Sequence, residues 1–228
     1  MHNEIQHKRL VTTARITGLW YLLLAISGMV GFLVLHSKIY VSQNPAETLA
    51  NLTEHETMAR IRLLLEFVII ISQALAAVWF YKLFREIDHV AAWALAIWGM
   101  MNAAVIMLSA IAMGAAIETA TAANSLGDKV AAIHVLGQLI KHAWGVGSLF
   151  FGLWLIPMGY VVTNSQRIPV WLGRVLILGG AGYLLSAFIG YVGIDAGWVS
   201  MLVLPATVGE FWMIAYLLIY GLRPANPN

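Results

Sequence analysis

The chain contains no cysteine, which excludes disulfides, thiolate metal sites and cysteine nucleophiles together. It is poor in charge. Asp, Glu, Lys and Arg make up 11% of the 228 residues, where a soluble domain carries about 25%. Common catalytic signatures are missing: there is no HExxH, no GxSxG, no Walker loop and no GxGxxG opening a helix. The formal net charge of +2 carries no nucleic-acid signal. What fills the chain instead is apolar: 61% of residues are Ala, Val, Ile, Leu, Met, Phe, Trp, Tyr or Cys. With glycine counted and tyrosine left out the share is about 66%, against about 45–50% in soluble domains. These figures exclude a soluble globular domain, a disordered chain and a disulfide-stapled secreted module. They point to a polytopic membrane protein.

Six apolar runs are long enough to cross roughly 30 Å of hydrocarbon at about 1.5 Å per residue. They are Ile16–Leu35, Leu63–Leu83, Val90–Ile117, Ala143–Thr163, Val170–Ile194 and Val199–Leu222. None shows the period-2 alternation of a barrel strand. The first run follows Lys8, Arg9 and Arg15, as a signal peptide would, but no small-x-small cleavage site appears at Leu35-His36-Ser37-Lys38. It reads as a retained helix. The expectation is a single all-α domain over residues 1–228, a six-helix transmembrane bundle. Short amphipathic helices are expected in the two long connections, over Pro45–Met58 and Leu126–His142.

Basic residues set the orientation. With six spans both termini share a side. That side carries Lys8, Arg9, Arg15, Lys82, Arg85, Arg167, Arg174 and Arg223, while Lys38, Arg60, Arg62, Lys129 and Lys141 fall on the other. The excess, with the short connections on the terminal side, places both termini in the cytoplasm. Trp20, Tyr21, Trp79, Tyr81, Trp93, Tyr160, Trp171 and Tyr220 read as the inner aromatic belt, and Tyr40, Trp144, Tyr191 and Trp198 as the outer one.

Small residues recur at helical spacing in two neighbouring spans: Gly145, Gly152 and Gly159 in the fourth, Gly182, Ser186 and Gly190 in the fifth. Such stripes let backbones approach closely where lipid supplies no hydrophobic force. The two spans are expected to pack through them.

Polar groups inside apolar runs are expensive and therefore informative. Glu210 lies mid-way through the last span. An ionised carboxylate there lacks water, so it must pair with a cation, sit in a hydrated cavity or stay protonated. Glu66 follows Arg62 by four residues, on one helix face, and Gln73 continues that face. Asn102 and Ser109 form another stripe on the third span. His142 opens the fourth, beside Lys141, and Arg174 lies one turn into the fifth. One arrangement is a polar cavity open to the outside, lined by Arg62, Glu66, His142 and Glu210, with Asn102 and Gln73 donating to Glu210. The bland alternative is a helix-end ion pair and an interfacial histidine. Among the seven histidines, His134 and His142 are eight apart, not the three or four that place two ligands on one helix face. No metal or cofactor is expected, although a site built from His36, His134, His142 and a carboxylate is conceivable.

The stretch Phe151–Leu185 resembles a bacterial membrane family known as domain of unknown function 4386. The matching features are Phe151-Gly152-Leu153-Trp154-Leu155, Pro157, Gly159-Tyr160, Ser165, Pro169, Leu172-Gly173 and Gly182-Tyr183. The segment Arg15–Leu22 is similar to the opening of that family, Phe80–Arg85 to the end of its second span, and Pro205 with Gly209-Glu210 to its last. The resemblance implies a six-helix bundle in a bacterial cytoplasmic (inner) membrane, multi-pass, and brings no established activity. Three functions are compatible with these readings. The first is binding of a lipid, small amphiphile or partner helix in an outer-facing intramembrane cavity. The second is an intramembrane hydrolase using Glu210 or Glu66 with His142. The third is a small transporter, which the absence of evident inverted repeats disfavours.

Overall fold

The computed structural model describes residues 2–123, 127–194 and 196–223, and among these it contains helices and no strand. Helix α1 (His2–Gly28) continues through π-helical turns over Met29–His36 into a last turn, Ser37–Ile39. Then follow α2 (Pro45–Glu54), α3 (Glu56–Phe84), α4 (His89–Thr121), α5 (Lys129–Ser165), α6 (Val170–Tyr191), α7 (Gly197–Met201) and α8 (Leu204–Ile219). Six helical stretches are long and apolar enough to cross a membrane: Glu4–Ile39, Glu56–Phe84, His89–Thr121, Lys129–Ser165, Val170–Tyr191 and Gly197–Ile219. They are the six expected from hydropathy. Large apolar side chains such as Leu33, Leu64, Ile111, Leu178 and Phe188 are exposed, as a chain whose solvent is a bilayer requires.

The helices outrun the apolar runs at most ends, because a backbone ladder continues through polar turns until a cap stops it. The largest difference concerns the second long connection. Instead of a separate amphipathic helix, residues 129–142 form the first turns of α5; Leu126 lies outside the described residues. Asp128 starts this helix, accepting from Val130 N at 2.9 Å and Ala131 N at 3.2 Å. Lys129 Nζ donates to the carbonyls of Ala120 at 3.1 Å and Ala122 at 2.6 Å, closing the C-terminus of α4. The first long connection does contain its helix. Asn44 caps α2, accepting from Glu47 N at 3.2 Å while its Nδ2 donates to Glu47 Oε2 at 2.8 Å, and Pro45 occupies the first turn.

Contacts cluster in two units: residues 1–22, 73–102 and 147–228, and residues 23–72 and 103–146. In the second unit a core forms from Ile39, Leu52, Met113, Ile117, Ile133 and Ile140, with alanines at 59, 112 and 116 letting the helices close. Helix α2 is tied to the end of α1: Thr48 Oγ1 accepts from Val41 N at 3.0 Å, and Asn51 Nδ2 donates to the Ile39 carbonyl at 3.3 Å.

In the first unit, α5 and α6 meet backbone to backbone. A Cβ on Gly152 would stand 2.7 Å from the Gly180 carbonyl oxygen, and one on Gly180 2.8 Å from that of Gly152. Gly159 and Gly173 oppose one another in the same way. The expected stripe on α6 is therefore corrected. Positions 173 and 180 face α5, whereas Gly182 abuts Leu202 and Gly179 abuts Ala206, both towards α8; Gly190 has nothing within 4 Å, and Ser186 is half-buried. At about 100° per residue, Gly182 lies on the far side of α6 from Gly180, so the glycines that meet α5 are 173 and 180 and not those of the 182, 186, 190 stripe. Gly145, on α5, is a half-buried residue of the second unit.

Candidate functional site

The polar residues singled out in the apolar runs sort into three groups. In the second unit, Arg62 and Glu66 are each 1% exposed and form an ion pair at 2.5 Å along α3. Trp144 Nε1 donates both to Glu66 Oε1 and to Ser109 Oγ, each at 3.0 Å. The Arg62 guanidinium lies over the Phe32 ring, 5.1 Å from its centroid. Side chains from the end of α1 and from α5 thus flank one buried pair on α3.

Glu210 belongs to the first unit. Its Oε1 accepts from the Tyr21 hydroxyl at 2.7 Å. Tyr21 is 2% exposed, stacks on Trp154 at 5.8 Å and meets the Phe80 ring edge-on at 5.5 Å. It is a core residue of the bundle rather than a belt aromatic. Gln73 and Asn102 share this unit and pair with one another, Asn102 Nδ2 donating to Gln73 Oε1 at 3.4 Å. Tyr21 is the donor to Glu210 in place of the two amides expected there, because those amides find each other across α3 and α4. Among the described residues, Gln73 Nε2 and Asn102 Oδ1 have no further partner.

The sequence reading placed Arg62, Glu66, His142 and Glu210 around one cavity. The structure sets Glu210 against Tyr21 in one unit and Arg62 with Glu66 against Trp144 in the other. His142 is an exposed residue of α5.

The second unit contains a cavity of about 510 Å³ made from other residues. The end of α1 supplies His36 and Tyr40, the following turn Ser42 and Gln43, and α5 His134, Gln138 and Lys141. Ile133 and Gly137 complete the α5 wall. No carboxylate lines it. Phe32, His36 and Tyr40 stack along one face of α1, with centroid spacings of 5.0 and 4.8 Å. Burial raises the pKa of the Tyr40 phenol, which stays protonated and donates to Met113 Sδ at 3.2 Å. His36 Nδ1 is buried and, among the described residues, has no hydrogen-bond partner. Gln43 holds a φ of 67°, a left-handed conformation unusual for a residue with a side chain and frequent at binding sites. The volume falls in the range of small-molecule pockets, about 300–1,000 Å³. Its lining offers an ammonium, two imidazoles and two side-chain amides beside an aromatic and aliphatic wall. Among the described residues, no group of three or more His, Cys, Asp or Glu side chains is placed to hold a metal ion.

Sequence reasoning missed the most connected residues here. Tyr21 and Trp144 were read as interfacial anchors, yet each donates to the carboxylate of a distant helix. The i, i+4 spacing of Phe32, His36 and Tyr40 was the available signal for the aromatic face. Lys141 was noted only as a neighbour of His142.

No curated protein and no solved structure matches the chain. A family model does, over residues 16–221. The chain belongs to the family described as Domain of unknown function (DUF4386).

Proposed function

We propose that this is a multi-pass protein of a bacterial cytoplasmic membrane, with both termini in the cytoplasm, that binds a lipid or other small amphiphile by its polar head in an outer-facing cavity. The observation that carries this reading is the 510 Å³ cavity lined by His36, Tyr40, His134, Gln138 and Lys141 without a carboxylate. In the proposed orientation it opens on the outer side, between the end of the first span and the start of the fourth. Lys141 supplies charge to a head group, and the amides and imidazoles supply directional hydrogen bonds.

A hydrolase using Glu210 or Glu66 with His142 has less support. Glu66 is already engaged by Arg62 and Trp144, and Glu210 by Tyr21, in different units. Native mass spectrometry of the gently extracted full chain tests the proposal. The wild type is expected to carry a retained amphiphile in this cavity. Gly137→Trp, which fills the cavity beside Tyr40, is expected to lose it while keeping its thermal stability. An equal retained mass in both proteins, or none in the wild type, would overturn the reading.

A further inference from the structure

A second concave site lies in the other unit. It is a groove of about 550 Å³ between the first turns of α1 and the last turns of α3. Three cations line it, Lys8 and Arg9 from α1 and Lys82 from α3, and no carboxylate does. The rest of the lining splits into hydroxyls, Thr12 and Thr13, and an apolar wall that includes Ile16 and Trp79. The Lys82 ammonium sits over the Trp79 ring, 4.3 Å from its centroid, which fixes it beside the apolar wall. Lys8 reaches Glu4 at 3.8 Å with both side chains largely exposed, a contact worth little in water. Among the described residues, Arg9 pairs with no carboxylate.

Topology explains why basic residues end a span, but it does not require three of them, from two helices, to converge on one groove. Convergent cations demand an anion. The apolar wall, on two helices that are long and apolar enough to cross a membrane, demands that the anion carry hydrocarbon. We propose that the groove between α1 and α3 is a binding site for the head group of an anionic phospholipid, its phosphate held by Lys8, Arg9 and Lys82 and its glycerol end resting on Trp79 and Ile16.

The site is separate in residues from the cavity at His36, so it is tested independently. The probe is phosphatidylglycerol added to delipidated full-length protein in neutral detergent, with phosphatidylcholine of the same chains as competitor and native mass spectrometry as readout. Every protein compared, the groove's wild type included, carries Gly137→Trp, which closes the cavity at His36, so that added lipid is counted at the groove alone. One basic side chain beside an anionic lipid strengthens binding about fivefold, so three supply on the order of a hundredfold. Wild type is expected to take up one phosphatidylglycerol in strong preference to phosphatidylcholine. The triple variant Lys8→Gln/Arg9→Gln/Lys82→Gln is expected to lose that preference. A control, Arg15→Gln/Arg85→Gln/Arg174→Gln, removes the same charge from the same unit outside the groove and is expected to keep it. Equal loss in both triples would reduce the effect to general attraction, and no loss in the first would place the lipid elsewhere. Displacement of the lipid by millimolar inorganic phosphate would make this a soluble-anion site. Each of these three results overturns the proposal.

Discussion

Replacing Glu66 by Leu isolates the energetic role of the buried pair. Arg62 and Glu66 are each 1% exposed, so removing the carboxylate strands a guanidinium with no water to receive it. Breaking a buried pair from one side costs about 3–5 kcal/mol. A second penalty is avoidable here. Trp144 Nε1 loses Glu66 Oε1 but keeps Ser109 Oγ at 3.0 Å, so the further ~1–3 kcal/mol for an orphaned buried donor does not arise. The cation–π contact with Phe32, at 5.1 Å, is made before and after the substitution and so leaves the difference unchanged. The net expectation is a loss of about 3–5 kcal/mol. Replacing both residues, Arg62→Met with Glu66→Leu, removes the charges together and is expected to be less damaging than Glu66→Leu alone. Reversible unfolding in mixed micelles, for wild type, both singles and the double, closes the cycle. If Glu66→Leu lost less than about 1 kcal/mol, or the double variant showed the sum of the two singles, the pair would be solvated or uncoupled and the reasoning refuted.

Three further outcomes are expected. Gly180→Ala, whose Cβ would press on the Gly152 carbonyl and Ile156, should destabilise by about 1–3 kcal/mol, whereas Gly190→Ala, with open space around it, should be neutral or slightly stabilising in the same unfolding assay; equal effects would remove the α5–α6 contact as its cause. Tyr21→Phe deletes the donor to Glu210 and should cost about 1.5–3 kcal/mol if Glu210 is charged and about 1 if it is not; Glu210→Gln should be better tolerated than Glu210→Leu, which leaves the Tyr21 hydroxyl without its acceptor, and the reverse order would show that the bond is unimportant. Single cysteines at Gln6 and Glu54 in this cysteine-free chain should separate under an impermeant thiol reagent applied to intact cells, with Glu54→Cys labelled and Gln6→Cys protected. Labelling at Gln6 would reverse the proposed orientation.

The sequence by itself determined the helices. Length and hydropathy sufficed because a backbone in lipid has no other way to satisfy its polar groups than an internal ladder. For the same reason Arg62 and Glu66 could be paired from their spacing, since i and i+4 share a helix face whatever the bundle does. The cap at Asn44-Pro45 and the amphipathic α2 were equally local. Where hydropathy failed was at the start of α5, because apolarity records the depth of hydrocarbon, and the ladder does not stop at its edge.

Tertiary structure decided everything that joins one helix to another. The azimuth of each helix determined that Tyr21 reaches Glu210, 189 residues away, and that Trp144 reaches Glu66, 78 residues away. It gave Gly173 and Gly180 to α5 and Gly182 to the chain near Leu202. It also drew His36, Gln43 and Lys141 to one cavity, and Lys8, Arg9 and Lys82 to one groove. A helix that is apolar on all sides carries no pattern declaring which side faces its neighbours, because lipid and protein interior are alike in polarity. Rotation about the helix axis, and with it every polar pairing between spans, is settled by side-chain packing that no single segment encodes.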